Sequence, residues 1–192
     1  MKNNIIFIGY MGCGKSTVGC KMAEMLSMPF LDTDQWIEEK EGITISEMFA
    51  IKGEAYFRNL ETECLKELLQ KDGLLVPEKT TERVENRIGK RGQVISVGGG
   101  LPVREENQKL LKQLGKVIYL KAKPDTIYER LKGDTTRPLL QTEDPLQKIK
   151  DMIAVREQKY LAAAHRVIEV DKKSIMEIIH EIIENDGINL KL

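Results

Sequence analysis

Hydrophobic residues along the chain fall into two patterns: short apolar segments, and stripes in which apolar residues recur every three or four positions. The short segments predict five strands, at residues 5–8, 29–31, 94–97, 117–120 and 166–170. The stripes predict helices at 15–26, 35–41, 55–70, 105–114, 124–131, 145–164 and 174–184. Thr44 and Glu47 have the spacing of a capping box, which favours one further helical turn after Gly42.

The order of these elements indicates the fold class. Strands that alternate with helices predict right-handed crossovers and a parallel sheet covered by helices on both faces. We therefore expect one α/β domain over residues 1–192, with a three-layer α/β/α architecture and a five-stranded parallel sheet. Ligands of such sheets lie beyond the carboxyl ends of the strands, so the loops at 9–14, 32–34 and 98–100 are expected to converge on one crevice.

Residues 71–93 do not fit an economical α/β domain. They separate a predicted helix from a predicted strand that a few residues would join. The stretch is charged and poor in large apolar residues after Val76. We interpret it as an atypical surface insertion, and we favour an insertion that the fold merely tolerates over one that has a function of its own.

Charge and cysteine usage exclude several classes of protein. The chain has 30 Lys and Arg residues against 30 Asp and Glu, so it has no bulk attraction to nucleic acid or to an anionic membrane, and neither partner is expected. Cys13, Cys20 and Cys64 are an odd number without CxxC spacing, and only two histidines occur. This argues against a disulfide framework or a zinc site and favours a reducing compartment. No apolar stretch approaches the ~20 residues that cross a bilayer, so we expect a cytoplasmic protein.

A phosphate-binding loop is predicted directly after the first strand. Gly9, Gly14, Lys15 and Ser16 match the full Gly-x-x-x-x-Gly-Lys-Ser pattern. The glycines let backbone N–H groups point inward at phosphate oxygens, and the following helix presents its positive N-terminal end. Lys15 supplies a charge to the β- and γ-phosphates, and Ser16 offers a hydroxyl to Mg²⁺.

Two carboxylates follow the second predicted strand. Alternation along an extended segment would place Asp32 and Asp34 on the same side. One carboxylate then serves the metal shell, and Asp34 becomes the candidate base or the group that aligns an attacking hydroxyl. Turn or cap duty is the plainer interpretation of an isolated Asp-x-Asp.

Two arginines on predicted helices are candidate carboxylate ligands. Arg58 lies at the edge of an apolar helix face, where it pairs with Glu54 or Glu61 or else grips a substrate carboxylate in bidentate fashion. The sequence around Arg58 favours neither interpretation over the other. Arg156 is likewise either a second carboxylate ligand or a salt-bridge partner of Glu157 or of the next helical turn.

Two loops complete the candidate site. Gly98, Gly99 and Gly100 end a strand without side chains, which allows a ligand or the chain itself to approach the backbone closely; a plain flexible turn is the alternative. The polar loop after residue 131 has a glycine and a central arginine, and a closing loop of this kind brings an arginine over transferring phosphates. Arg130 and Arg137 are the candidates, with a solvated loop arginine as the plainer interpretation.

Taken together, these segments resemble the shikimate kinase family. The resemblance covers nearly the whole chain apart from 71–93, and it is most selective at the Arg58 and triple-glycine elements. In chain order, the matching segments are 9–17, Leu31-Asp32-Thr33-Asp34, Gly53-Glu54-x-x-Phe57-Arg58-x-x-Glu61, Gly98-Gly99-Gly100, Arg137-Pro138-Leu139-Leu140 and Arg156-x-x-x-Tyr160.

The resemblance implies a reaction and a fold. It implies Mg²⁺-dependent transfer of the ATP γ-phosphoryl group to the 3-hydroxyl of shikimate, in aromatic amino-acid biosynthesis. It also implies a nucleoside-monophosphate-kinase-like fold with strand order 2-3-1-4-5, a substrate-binding lobe at about 33–70, a lid at about 132–143, and a monomer. The length of 71–93 makes affinity for shikimate the property most open to change.

The resemblance further implies roles for individual residues. Lys15, Asp34 and Arg137 are implied to be catalytic. Asp34 holds shikimate hydroxyls with the backbone of Gly98, Gly99 and Gly100, Arg58 and Arg156 clamp its carboxylate, and Mg²⁺ lies at Ser16 and, less directly, Asp32. The ATP-binding set is Gly12, Cys13, Gly14, Lys15, Ser16, Thr17, Arg130 and Arg137.

Two alternatives stay open at this point. A gluconate-type kinase acts on a substrate that is also anionic and hydroxylated. A nucleotide-dependent binding or switch protein would carry the same phosphate loop without kinase turnover, although the chain has no Asn-Lys-x-Asp guanine motif.

Overall fold

The strands of the sheet all pair in parallel. The computed structural model describes residues 3–71, 75, 92–133 and 142–186. In these residues the strand order is β2-β3-β1-β4-β5, which confirms the predicted order 2-3-1-4-5. The strands are β1 (Asn4–Ile8), β2 (Phe30–Asp32), β3 (Val94–Ser96), β4 (Gly115–Lys121) and β5 (Arg166–Glu169).

Eight α-helices lie in the described part of the chain, and they cover both faces of the sheet as predicted. The first and last pack together on one side, while the fifth packs against both the fourth and the seventh on the other. The helices are α1 (Lys15–Leu26), α2 (Thr33–Glu41), α3 (Ile45–Lys52), α4 (Glu54–Gln70), α5 (Glu105–Leu114), α6 (Pro124–Leu131), α7 (Pro145–Ala163) and α8 (Ile175–Asp186).

Several elements are longer than the sequence pattern predicted, and β4 and α3 differ most. Strand β4 spans seven residues because it pairs along all of β1, from Asn4 opposite Gly115 to Ile8 opposite Tyr119. The turn expected after Gly42 is a full helix, α3, whose predicted capping box between Thr44 and Glu47 is confirmed.

The main core lies between the sheet and its helices. Every residue of β1 is buried, as a strand flanked on both sides in a parallel sheet requires. A second, smaller apolar cluster of Ile37, Met48, Phe57 and Leu60 joins α2, α3 and α4, within the range predicted for the substrate-binding lobe. Among the described residues, no helix has the length and apolar character needed to cross a membrane.

The two ends of the range 71–93 are built into the core. Leu75 is buried, and its backbone N–H and C=O are both hydrogen-bonded by the side chain of Gln93. The Gln93 N–H donates in turn to Asn4 Oδ1 of β1 at 2.8 Å. Residues 72–74 and 76–91 lie outside the described part of the chain.

Candidate active site

The loop between β1 and α1 is shaped by glycines with positive φ. Gly9, Gly12 and Gly14 have φ angles of 142°, 76° and 99°, a region that side chains rarely adopt. A Cβ at Gly9 would lie 2.6 Å from the Leu120 carbonyl oxygen, so the loop also needs glycine there for space. Gly14 is the N-cap of α1 and provides no side-chain cap, which leaves the first N–H groups of the helix available to an anion.

Two cationic side chains lie across this loop. Lys15 Nζ donates to the carbonyl oxygens of Gly9 at 3.0 Å and Tyr10 at 3.2 Å. Arg130, near the end of α6, donates from Nη1 to the carbonyl oxygens of Gly12 and Cys13, each at 3.2 Å. The loop therefore combines free backbone donors with two positive charges, which is the chemistry that binds phosphate.

Three oxygen-bearing side chains meet beside Lys15. The Ser16 hydroxyl donates to Asp32 Oδ2 at 2.6 Å and lies 3.2 Å from the Ser96 hydroxyl. Hydroxyl and carboxylate oxygens suit Mg²⁺, which is usually held by one or two carboxylates together with substrate phosphates and water. Ser96 was not predicted from the sequence, although it is the one polar residue in the apolar run 94–97 and precedes Val97 and the three glycines.

The strand geometry predicted for Asp32 and Asp34 is wrong. Strand β2 ends at Asp32, and α2 begins at Thr33. Asp32 is the N-cap of that helix, and its Oδ1 accepts from the Asp34 N–H at 3.0 Å. The cap interpretation is thus correct for Asp32, while its second carboxylate oxygen still faces Ser16.

Asp34 lies in the first turn of α2, where the residue is half-buried and its Oδ1 is shielded from solvent. Its Oδ1 has no hydrogen-bond partner among the described residues. Burial, reinforced by the nearby charge of Asp32, raises the pKa of Asp34 to about 6, although Lys15 and Arg58 act in the opposite direction. A buried carboxylate with an unsatisfied oxygen is suited to accept a hydrogen bond from a substrate.

Arg58 makes both of the ion pairs that its sequence neighbours suggested. Its Nη1 donates to Glu61 at 2.9 Å, and its Nη2 donates to Glu54 at 2.8 Å. The guanidinium also lies over the rings of Phe57 and Phe49, with its carbon 5.4 and 6.0 Å from their centroids. These contacts hold the side chain in place at the cavity wall, only 19% exposed.

Glu61 is a buried acid, which the sequence predicted only as a possible ion-pair partner of Arg58. Its side chain is 1% exposed, and burial raises its pKa to about 7 against the opposing charge of Arg58. A Cβ at Gly98 would lie 2.5 Å from Asp34 Oδ1 and 2.8 Å from Glu61 Oε1. Glycine at 98 therefore lets two carboxylates approach one point of the backbone; the i,i+3 spacing from Arg58 was the available signal.

The other two glycines of the triplet also face functional groups. The Gly99 carbonyl accepts from the Tyr160 hydroxyl at 2.7 Å. A Cβ at Gly100 would lie 2.2 Å from Arg58 Nη1. The triplet is thus a close-packed wall of the cavity, and the interpretation as a plain flexible turn does not describe it.

Arg156 projects from α7 towards the same region. Its guanidinium carbon lies 5.8 Å from the centroid of the Tyr10 ring. Glu157, which the sequence offered as its salt-bridge partner, pairs with Lys121 at 2.7 Å instead. The charge of Arg156 also lies close to the Tyr160 hydroxyl, which burial leaves with a pKa raised to about 12.

One cavity of about 590 Å³ collects these groups. Arg137 lies outside the described residues, as does most of the predicted lid. The lining residues that were not predicted from the sequence are Met11, Val18, Ile45, Phe49, Phe57, Glu61, Ser96, Val97, Lys173, Ile175 and Ile178. The predicted site residues that line the cavity are Gly12, Cys13, Gly14, Lys15, Ser16, Thr17, Asp32, Asp34, Arg58, Gly98, Gly99, Gly100, Arg130 and Arg156.

Known proteins are similar to this chain in sequence and in fold. The family model described as Shikimate kinase matches residues 11–77 and 78–186. A shikimate kinase of Sulfurihydrogenibium sp. (strain YO3AOP1) is 40% identical over 180 residues, which cover 94% of this chain and 95% of the relative. One from Ralstonia nicotianae is 35% identical over 181 residues, covering 94% and 85%.

A solved structure of a shikimate kinase is also similar to this chain. The shikimate kinase from Acinetobacter baumannii, in complex with shikimate, superposes with a TM-score of 0.80 at 34% identity. The match covers 97% of this chain and 95% of that one.

Proposed function

This chain belongs to the shikimate kinase family, and from that premise we propose how its cavity divides between two substrates. The chain is an ATP-dependent phosphotransferase that uses Mg²⁺, and its acceptor is the 3-hydroxyl of shikimate. The assignment of residues below is our proposal, supported by the contacts around the cavity.

The nucleotide phosphates lie on the loop at residues 12–17. The uncapped N–H groups of α1 and the charge of Lys15 support this placement. Lys15 now donates to two loop carbonyls, so it must turn away from them to reach a phosphate oxygen. Arg130 stays on the loop carbonyls and adds positive charge, and Arg137 would come from the lid to stabilise the charge of the transferring group.

The base of ATP would lie near α8. This helix packs against α1, which begins at the phosphate-binding loop, and its Ile175 and Ile178 line the cavity. Aliphatic side chains offer the apolar surface that a flat purine ring requires.

The metal would lie at Ser16 and Asp32. Their oxygens fit a hard cation, and Ser96 orients the Ser16 hydroxyl from the other side. When bound, Mg²⁺ neutralises charge on the phosphates of the nucleotide.

Shikimate would lie against α4, α7 and the triple glycine. Arg58 and Arg156, which we call the carboxylate clamp, supply the positive charge for its carboxylate. Asp34 would accept a hydrogen bond from the hydroxyl that attacks, with the backbone of Gly98–Gly100 close against the ring. Positioning of this kind is the main contribution of a protein to phosphoryl transfer.

The proton of the attacking hydroxyl would pass to Asp34. Its carboxylate must be ionised to receive that proton, and its raised pKa of about 6 makes it a better base than an ordinary aspartate. Glu61 shares the Gly98 surface with Asp34 and holds Arg58, which links the clamp to the acid pair.

The observation that supports this proposal most strongly is the shared cavity. Lys15 and Asp34 line it together with Arg58 and Arg156, so a phosphate-binding loop and an anion-binding pair face one space. The free cysteines and the use of ATP favour the cytoplasm.

A coupled ADP-release assay tests the assignment. ADP should form with shikimate, and not with gluconate, AMP or no acceptor. Arg58→Ala and Arg156→Ala should each raise the KM for shikimate by about tenfold to a hundredfold, with the KM for ATP little changed. Arg166→Ala, which removes an arginine from β5 outside the cavity lining, is the matched control. ADP release that ignores the acceptor, or clamp variants that alter only the KM for ATP, would contradict the proposal.

A further inference from the structure

Arg104 connects the triple-glycine segment to the helix that carries Arg58. It directly follows the short 3₁₀ turn Leu101–Val103. Its Nη1 donates to the Arg58 carbonyl oxygen at 3.0 Å and to Asn59 Oδ1 at 2.9 Å. The Thr62 hydroxyl, itself a donor to the Arg58 carbonyl, lies 3.5 Å from the same nitrogen. The Arg104 guanidinium is therefore hydrogen-bonded to the turn of α4 that contains Arg58.

The segment before Arg104 is itself held to the glycines. The N–H of Leu101 donates to the Gly98 carbonyl, and the N–H of Val103 donates to the Gly100 carbonyl, each at 3.1 Å. Arg104 thus moves with the wall of the cavity that faces the clamp. On the far side of this wall, the Tyr160 hydroxyl holds the Gly99 carbonyl from α7, the helix that carries Arg156.

The contact between this wall and Arg58 leaves little tolerance. A Cβ at Gly100 would lie 2.2 Å from Arg58 Nη1, so the guanidinium packs directly on the backbone. A small shift of α4 against the wall would therefore move the guanidinium or open a gap beneath it. The charge of Arg104 also acts on Glu61, the partner of Arg58, where it favours the ionised carboxylate.

The position of Arg104 is unfavourable for local structure. It is the N-cap of α5 and makes no side-chain cap to that helix. Arginine is a poor N-cap, and the positive end of a helix disfavours a cation. The long-range contacts with α4 are the compensation, and departures from local preference of this kind are expected where a residue serves a site.

We propose that Arg104 is a positioning residue for shikimate binding: it sets the distance between the Arg58 turn of α4 and the triple-glycine wall, and thereby the spacing of the carboxylate clamp. This inference rests on the proposed function, because it assumes that Arg58 binds the shikimate carboxylate. Arg104 itself need not touch either substrate.

Steady-state kinetics of three variants of the full chain test the inference. Arg104→Met removes the donors and the charge but keeps an unbranched side chain, and Arg104→Lys keeps the charge and a single donor nitrogen. Lys66→Met is the matched control, because Lys66 also connects α4 to α5, through Glu106 at 2.6 Å on the exposed surface. KM for shikimate, KM for ATP, kcat and the thermal midpoint are measured for each variant.

The expected result is a selective change. Arg104→Met should raise the KM for shikimate by roughly tenfold, Arg104→Lys should recover part of that loss, and the KM for ATP should stay within about twofold. Lys66→Met should leave both KM values near wild type, because an exposed ion pair contributes little. A merely structural role would lower the thermal midpoint and leave the ratio of the two KM values unchanged.

Either of two results would overturn the inference: a shikimate KM in Arg104→Met within about twofold of wild type, or equal changes in both KM values. If Arg104→Met does not fold, Arg104→Lys decides in the same way. Arg58→Ala, measured in parallel, separates the two levels of the argument. If only Arg58→Ala loses affinity for shikimate, the proposed role of Arg104 is refuted. If neither variant loses affinity, the carboxylate clamp itself is refuted.

Discussion

A single methyl group at Gly100 should weaken shikimate binding without harming the fold. Gly100 has φ −91° and ψ −19°, a right-handed helical conformation that alanine adopts freely. The added Cβ would lie 2.2, 2.5 and 2.7 Å from three atoms of the Arg58 guanidinium. Gly100→Ala therefore acts on one functional side chain and imposes no backbone strain.

The size of the effect follows from these distances. To reach an ordinary contact of 3.4 Å, Arg58 Nη1 must retreat by at least 1.2 Å from its present 2.2 Å separation. This movement disturbs its hydrogen bond to Glu61, now 2.9 Å, and displaces the group that would meet the shikimate carboxylate. A charge-assisted hydrogen bond is worth about 1.5–3 kcal/mol, which corresponds to a rise of about tenfold to a hundredfold in the KM for shikimate.

The assay is initial-rate kinetics with each substrate varied in turn, together with thermal unfolding. The KM for ATP should not change, because the three atoms nearest the added Cβ all belong to the Arg58 guanidinium and none to the phosphate-binding loop. The thermal midpoint should not fall, since the displaced atoms end a flexible side chain and a Gly→Ala change removes about 0.4–1 kcal/mol of unfolded-state entropy.

A double-mutant cycle provides the control. If the methyl group acts through Arg58, Gly100→Ala should add little to the shikimate KM of Arg58→Ala. Full additivity of the two changes, or a single variant with wild-type KM, would show that the guanidinium does not bind shikimate from this position.

The remaining predictions concern other parts of the molecule. Lys15→Met should lower kcat at least about a hundredfold while the circular dichroism spectrum stays native, and near-normal turnover would exclude the loop from catalysis. In pH profiles, kcat/KM for shikimate should rise as pH increases through about 6, where Asp34 ionises. Because burial raises this pKa above its unfolded value, the associated stability is lost as pH rises through 6, so Asp34→Asn should be more stable than wild type at pH 8 and not at pH 4. Gln93→Ala should cost about 2–4 kcal/mol in urea unfolding, because it leaves both backbone groups of buried Leu75 without their partner; a loss below about 0.5 kcal/mol would contradict this. Deletion of residues 76–91 alone should leave ATP binding intact, as measured by calorimetry, and loss of binding would show that the insertion supports the nucleotide site.

Local sequence patterns were sufficient for the order of elements and for the phosphate-binding loop. Hydrophobic periodicity located α5 and α6 at their observed bounds, and handedness rules led from alternating elements to the parallel sheet. The loop was predictable because its chemistry lies in consecutive residues, where Gly9, Gly12 and Gly14 supply the positive φ angles. These features depend on interactions between near neighbours in the chain.

The errors at Asp34 and β4 have a different origin. Alternation of side chains predicted that the strand continues beyond Asp32. Instead, the Asp32 carboxylate caps α2, and the helix begins at the next residue, Thr33. Strand β4 extends to Gly115 because β1 offers a hydrogen-bonding partner there, which no local pattern in β4 reveals. Tertiary pairing outweighs local propensity at such boundaries.

The arrangement of the acids and arginines depends on contacts between distant parts of the chain. Arg58 makes the ion pairs of one predicted interpretation with glutamates of its own helix, and it also lines the cavity, where its binding of a substrate carboxylate stays a prediction. Arg104 reaches Arg58 across 46 positions, and Tyr160 reaches Gly99 across 61. Residue spacing contains no information about such distances, because they arise when packing of the core brings separate helices against one glycine segment. The sequence therefore determined which chemical groups the site contains, and the folded core determined how those groups are arranged.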